Sequence, residues 1–369
     1  MKKLISAAAA VLVTVCALTG CNEKDSRIKI GVIQLVEHPA LDKSYQGFVD
    51  GLAEAGYVDG ENITIDYQNA QGEQANCVTI ANKFVNDKDS LIFAIATPAA
   101  QAVANLTKDI PVLITAVTDP ETAKLVKSNE KPGTNVTGTS DLTPVAAQIE
   151  LLTKIVPEAK TVGLMYCSSE ANSIFQINLA KAACEVHGLS YIEGSVSNSN
   201  EIQQVTQSLV GKVDAFYVPT DNMLAAGMAN VAMVAIDAKL PVICGEEGMV
   251  VSGGLATYGI NYYELGRLTA KQAVQILKDG ASPADMPIEY LTKFDFSYNE
   301  TTKAAIGIEF EENLSSYIVD ERLPQLIHKI PGNKINACSC GEKAVVEPVE
   351  TTGRNIPASV HFESLNDRI

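Results

Sequence analysis

The chain has 369 residues, 46 % of them hydrophobic, and a formal charge of −16 at pH 7. That length holds two domains of ordinary size, and the apolar share argues against wholesale disorder. A surface so negative repels phosphate backbones and anionic headgroups, which excludes nucleic acid as a partner.

The N-terminus reads Met1-Lys2-Lys3, then an apolar run to Leu18, then Thr19-Gly20-Cys21. A short basic start, a hydrophobic stretch and small residues at a cleavage point make a secretory signal over 1–20. The run is shorter than the roughly 20 apolar residues a spanning helix needs. Leu18-Thr19-Gly20-Cys21 resembles the lipobox of bacterial lipoproteins, in which the Cys is diacylated and becomes the new N-terminus. An ordinary cleaved signal or a short anchor helix is the plainer alternative. The lipoprotein reading puts the protein outside the cytoplasm, lipid-anchored through Cys21 to the bacterial cell membrane, with polar residues 21–27 as tether.

A strand is expected over 28–33. A helix follows from about residue 41, with Tyr45, Phe48, Val49 and Leu52 at i, i+3, i+4 and i+7 and Gly56 placed to end it. Next come a strand over 63–67, a helix over 73–86 and a strand over 91–96 that runs into Thr97-Pro98, where proline suits a helix start. A strand over 111–116 ends at Thr118-Asp119-Pro120.

The second half repeats that order. Strand 161–166, helix 173–186, strand 189–192 and helix 201–209 lead to strand 214–218, which runs into Pro219-Thr220-Asp221-Asn222. A helix to about 239 and a strand over 241–244 ending at Gly245-Glu246-Glu247-Gly248 complete it. Equivalent points lie roughly 130 residues apart. Such alternation implies an α/β fold of two doubly wound, parallel-sheet lobes. A strand over 255–260, a helix ended by Gly280 and an extended segment over 287–296 follow. Crossing back and returning, they give three hinge strands, near Gly138, Gly254 and Ile288. The lobes are then 28–138 plus 255–287 and 139–254 plus 288–314.

Open parallel sheets bind ligands at their carboxyl edges, beside helix N-termini. There the sequence places Gln34, Thr97, Thr118 and Asp119 in the first lobe, and Ser168, Asn172, Asp221 and Glu246 in the second. Hydroxyls and N–H groups at helix starts suit a carboxylate, and the acidic residues suit an ammonium group, so a zwitterion such as an amino acid fits the set. Each residue taken alone is better read as a helix cap, and the mirrored set in two lobes is what favours ligand contact. Tyr166 and Tyr258 are candidate walls or core residues, and His38, after the first strand, is only a minor candidate for the cleft. Motifs of serine hydrolases, zinc proteases, P-loop and dinucleotide-binding enzymes are missing, so neither catalysis nor a cofactor is expected. Of eight Cys, Cys77, Cys167, Cys184 and Cys244 sit singly in apolar patterns and read as buried thiols, and no C-x-x-C metal pair occurs.

Gly31-Val32-Ile33-Gln34, Glu37-His38-Pro39-Ala40-Leu41-Asp42, Ala96-Thr97-Pro98-Ala99-Ala100-Gln101, Thr118-Asp119-Pro120 and Asn135-Val136-Thr137-Gly138 resemble the substrate-binding lipoproteins of ABC importers of the TrpX-type group. The resemblance implies a type I periplasmic-binding-protein fold with three hinge strands. It also implies closure around an aromatic amino acid, delivered by a monomer to a permease and ATPase pair. It gives cleft roles to the eight residues named above. A ligand-sensing receptor without transport, or a binder of a sugar or nucleoside, is the alternative. Residues 315–369, with Cys338-Ser339-Cys340, depart from the family pattern and read as an appended disordered segment or a frameshifted end.

Overall fold

The computed structural model describes residues 27–310 and 317–318. The expected signal over 1–20, Cys21, nearly all of the tether, and the 315–369 tail apart from 317–318 lie outside the described residues.

In chain order, β1 (Ile28–Gln34), α1 (Pro39–Glu54), β2 (Ile63–Asn69), α2 (Gln74–Asp87), β3 (Leu91–Ile95), α3 (Thr97–Leu106), β4 (Val112–Thr115) and β5 (Val136–Ser140) build the first lobe. The second contains α4 (Val145–Ile155), β6 (Thr161–Cys167), α5 (Ala171–Val186), β7 (Ser190–Val196), α6 (Ile202–Leu209), β8 (Ala215–Val218), α7 (Asn222–Ala226), α8 (Met228–Asp237), β9 (Val242–Cys244), α9 (Glu247–Val251) and β10 (Ala256–Gly259). Then come α10 (Tyr262–Asp279), β11 (Glu289–Tyr290), β12 (Lys293–Tyr298), α11 (Glu300–Ile306) and β13 (Tyr317–Ile318).

The sheets run β2-β1-β3-β4-β5-β11 and β7-β6-β8-β9-β10-β12-β13. The first is parallel throughout, and in the second only β12 runs against its neighbours, β10 and β13. Central strands such as β3 are buried at every residue, as parallel strands covered on both faces must be. Strand order reverses between β1 and β3 and again between β6 and β8, so each lobe has a switch point at its carboxyl edge. Phe48 stacks on Phe93 at 3.9 Å in the first core, while Met165, Phe216, Val218 and Met228 fill the second.

Three crossings join the lobes, but not at the expected positions. β5 stays in the first sheet to Ser140, where Gly138 at φ +146 brings it against β4; a Cβ there would lie 2.0 Å from the Ile114 carbonyl oxygen. β10 belongs to the second sheet, pairing with β9 and β12, so the 255–259 stretch assigned to the first lobe is corrected. β11 pairs with β5 in the first sheet, so Glu289 and Tyr290 do not lie in the second lobe. The chain therefore changes lobes at 141–144, 260–261 and 291–292, after strands are complete. Leaving a sheet in mid-strand would strand ladder hydrogen bonds.

α10 returns to the first lobe because it and α1 meet across glycines. A Cβ on Gly47 would lie 2.0 Å from the Tyr263 carbonyl oxygen, and one on Gly266 2.0 Å from that of Ser44. Only glycines allow that approach, and an inserted methyl would cost about 1–3 kcal/mol. The expected helix to 239 breaks at Gly227 into α7 and α8, and α4, α9 and α11 were not anticipated.

Candidate functional site

The carboxyl edges of the sheets face each other across a cleft. A cavity between them holds about 260 Å³ of unfilled space, its open side included.

The second-lobe wall is built from carboxylates at strand ends. Asp221 caps α7: Oδ1 accepts from the Leu224 N–H at 2.8 Å, and Oδ2 from the Cys167 N–H at 2.5 Å. One side chain thus ties the end of β8 to that of β6 at the switch point. Glu246 caps α9 by accepting from the Gly248 and Met249 N–H groups. Asn172, in the first turn of α5, donates its Nδ2 to the Thr220 carbonyl and to Glu170, each at 3.1 Å. Its Oδ1 is buried without a partner. Glu170 stands behind this wall and also accepts from the N–H groups of Asn222 and Met223 and from Asn222 Nδ2. Burial pushes the Glu246 carboxyl up to about 7. Burial, with the Asp221 charge beside it, does the same for Glu170. Asp221 is raised too, by burial.

The first-lobe wall is different. α1 starts after His38 and α3 after Ala96, and neither cap side chain bonds its helix, leaving first-turn N–H groups without side-chain acceptors. Ala96 at φ +84 and Ala116 at φ +52 follow β3 and β4 in a conformation that alanine rarely adopts. Such strain concentrates at binding sites. Thr97 is 1 % exposed, and its Oγ1 has no partner. His38 lines the cavity with Nε2 3.5 Å from Asn222 Oδ1, a long hydrogen bond, and Nδ1 buried without a partner. Burial lowers its pKa to about 4, so the ring is neutral near pH 7.

At the first crossing, Asp141 accepts from the Tyr262 hydroxyl at 2.8 Å and the Thr118 hydroxyl at 3.1 Å. Burial raises it to about 6. Thr118 also lies 3.4 Å from the Thr220 hydroxyl and accepts from Gln176 Nε2 at 3.2 Å. With His38–Asn222 and the Lys43–Glu247 ion pair at 3.2 Å, these bonds cross the cleft, so the lobes are closed on each other. Among the described residues, Asp141, Asp221 and Glu246 line the cavity and no Lys or Arg does. Leu41, Ala116, Ala225 and Met249 supply apolar wall. Such a wall receives a cationic, donor-rich group with an apolar body.

Of the residues expected in the cleft, Asn172, Asp221 and Glu246 line the cavity. Thr118 stands one bond behind it, and Thr97 sits buried at the start of α3. Gln34 ends β1 and bonds the Val36 carbonyl and Asp42 Oδ1, off the cavity. Asp119 turns into its own loop, accepting from the N–H groups of Glu121 and Thr122 and the Thr122 hydroxyl. Ser168 is exposed and donates to the Val196 carbonyl on β7. Tyr166 bonds Glu193 and Tyr258 packs near Phe296, so neither walls the cavity. Asp141, Tyr262 and Ala116 were missed; helix-start chemistry after strands does not point to a lobe crossing or to a strained alanine. The four described cysteines are free and buried.

Residues 29–321 match the ABC transporter substrate binding protein family. A tyrosine-binding protein from Clostridioides difficile strain R20291 is 43 % identical over 322 residues, which cover 84 % of this chain and 93 % of that one. The crystal structure of an ABC domain in complex with L-Trp from Streptococcus pneumonia is 42 % identical with a TM-score of 0.75, covering 78 % of this chain and 97 % of that chain. The ligand-free, open structure of a substrate-binding protein with adhesive properties from Clostridium difficile is 50 % identical, covering 77 % and 96 %, yet its TM-score is 0.61. Higher identity with poorer superposition points to lobe arrangement as the difference, in agreement with the bonds across the cleft here.

Proposed function

Because this chain belongs to the ABC transporter substrate-binding protein family, we propose that it is the lipid-anchored receptor of an importer and that its cleft closes on an aromatic amino acid. The family and the matched relatives are solute-binding proteins, and the absence of catalysis expected for this chain agrees with theirs. The observation that carries the ligand reading is the cavity wall of three buried carboxylates without a Lys or Arg, which favours an ammonium group. At the carboxyl edge of the first lobe, the uncapped start of α3 with the unpartnered Thr97 hydroxyl suits a carboxylate. Leu41, Ala225 and Met249 suit a ring. The tyrosine-binding relative and the L-Trp complex support the aromatic choice.

Closure is how such a receptor signals occupancy: the ligand must bind the closed form better than the open one. Calorimetry and thermal shift on the full chain test the ligand. L-tyrosine or L-tryptophan raises Tm, while myo-inositol and adenosine do not; the reverse pattern overturns the amino-acid reading. For the importer role, deleting the protein abolishes uptake of labelled ligand, whereas intact uptake favours a sensor. For the anchor, Cys21→Ala releases the protein from membranes.

A further inference from the structure

Glu170 touches no part of the cavity surface, yet it engages the side chains of two residues that do. We propose that Glu170 is a positioning residue that sets the polarity of the site: it holds the amides of Asn172 and Asn222 so that only acceptor atoms face the ligand. This rests on the amino-acid reading above and names the group that makes the site choose an amine.

A carboxylate only accepts hydrogen bonds when ionised. Glu170 Oε2 takes Nδ2 of both asparagines, and its second oxygen takes the Met223 N–H. Asn172 Nδ2 also bonds the Ser173 hydroxyl and a backbone carbonyl, of Thr220, which likewise only accepts. Both amide orientations are thereby determined by their partners. Asn172 Oδ1 is left buried and without a partner, on a residue that lines the cavity. Asn222 Oδ1 is turned to the first lobe, where His38 Nε2 meets it at 3.5 Å. An acceptor there demands that Nε2 carry the proton. A neutral imidazole has one N–H, so Nδ1, buried and unpartnered, becomes an acceptor as well. The order runs from Glu170 through Asn222 to His38, and its last link exists only when the lobes are closed. Together with Asp141, Asp221 and Glu246, the two asparagines then present acceptors to a donor-rich ligand, and a des-amino analogue leaves them unsatisfied.

Glu170→Gln keeps the size but replaces one acceptor by a donor, which opposes either the two asparagine amides or the Met223 N–H, and it removes the charge that all three donors share. The experiment measures Kd for L-tyrosine and for 3-(4-hydroxyphenyl)propanoate, which lacks the amine, with the wild-type chain, Glu170→Gln and Glu170→Asp. Wild type prefers tyrosine; the preference falls at least tenfold in Glu170→Gln and is partly restored in Glu170→Asp. A purely structural role would weaken both ligands alike and leave their ratio unchanged, which overturns the proposal. Wild type that binds neither compound overturns the amino-acid reading instead. Independently of any variant, ¹⁵N shifts of histidine in the tyrosine-bound wild type should show His38 as the Nε2–H tautomer. An Nδ1–H ring would overturn the relay.

Discussion

The two carboxyl edges share one strand order but face the cleft with opposite chemistry. In the first lobe, α1 and α3 begin without side-chain caps, behind alanines at positive φ, so the edge offers N–H groups and the Thr97 hydroxyl. In the second, α7 and α9 are capped by Asp221 and Glu246, so their N–H groups are taken and carboxylate oxygens face the cavity instead. A duplicated scaffold thus presents donors on one side and acceptors on the other. What differs is a choice of capping residue at equivalent strand ends, not the architecture.

Ligands that lack one charge separate the two edges. Asp221→Asn keeps the shape and an acceptor but removes the charge. Hydrogen bonds to charged groups contribute about 1.5–3 kcal/mol, so tyrosine affinity should fall about 10- to 100-fold by calorimetry. Affinity for 3-(4-hydroxyphenyl)propanoate should hold or improve. An equal loss on both would mean that Asp221 serves the fold alone. Thr97→Val acts on the other edge with a smaller effect. One neutral hydrogen bond, about 0.5–1.5 kcal/mol, predicts a roughly 2- to 10-fold loss for tyrosine and little change for tyramine, which has no carboxylate.

pH reads the acceptor edge directly. Glu246 and Glu170 are raised to about 7 and Asp141 to about 6 by burial, above the ordinary carboxylate range. These three carboxyls therefore bind more protons in the folded state than in the unfolded chain between about pH 4 and 7, and their contribution to stability falls as pH rises through that window, outweighing the single His38, whose lowered value acts the other way below about pH 6.5. An ammonium ligand favours the ionised forms, so it binds more tightly as pH rises and releases protons on binding below about pH 7. Ligand-free Tm should be lower at pH 8 than at pH 5.5, with the tyrosine-induced increase larger at pH 8. Tighter binding at pH 5.5 would contradict an acidic cation subsite.

Much of this was legible in the sequence because parallel strands and their helices carry strong periods. Asp221 and Glu246 stand where a strand gives way to a helix, and each caps that helix and lines the cavity. Asp119 and Ser168 stand at similar places and face elsewhere, since the same oxygen atoms bond a local turn or the edge of β7 equally well. Residue type sets what a group can bond; the path of the next few residues sets what it does bond. Asp141 and Tyr262 come from two different crossings and meet only because α10 returns to α1 through Gly47 and Gly266. No local pattern encodes that meeting. The crossings themselves were misplaced by a few residues because strand ends carry weaker signals than strand interiors.

The smallest effect is expected at the mouth, where the two edges touch outside the cavity. Lys43 on α1 and Glu247 on α9 pair at 3.2 Å, and each side chain is about half exposed. An ion pair so hydrated contributes about 0.2–1 kcal/mol. It forms only between closed lobes, so its whole effect falls on the closing equilibrium and thus on apparent affinity. Lys43→Met should weaken tyrosine binding by about 1.5- to 5-fold at low salt. Near 0.5 M salt, where screening acts over only a few ångströms, the difference from wild type should nearly vanish. The cavity carboxylates are buried and screened far less, so Asp221→Asn should keep its penalty at both salt concentrations. A salt-independent Lys43→Met defect would place Lys43 with the binding groups rather than with the rim.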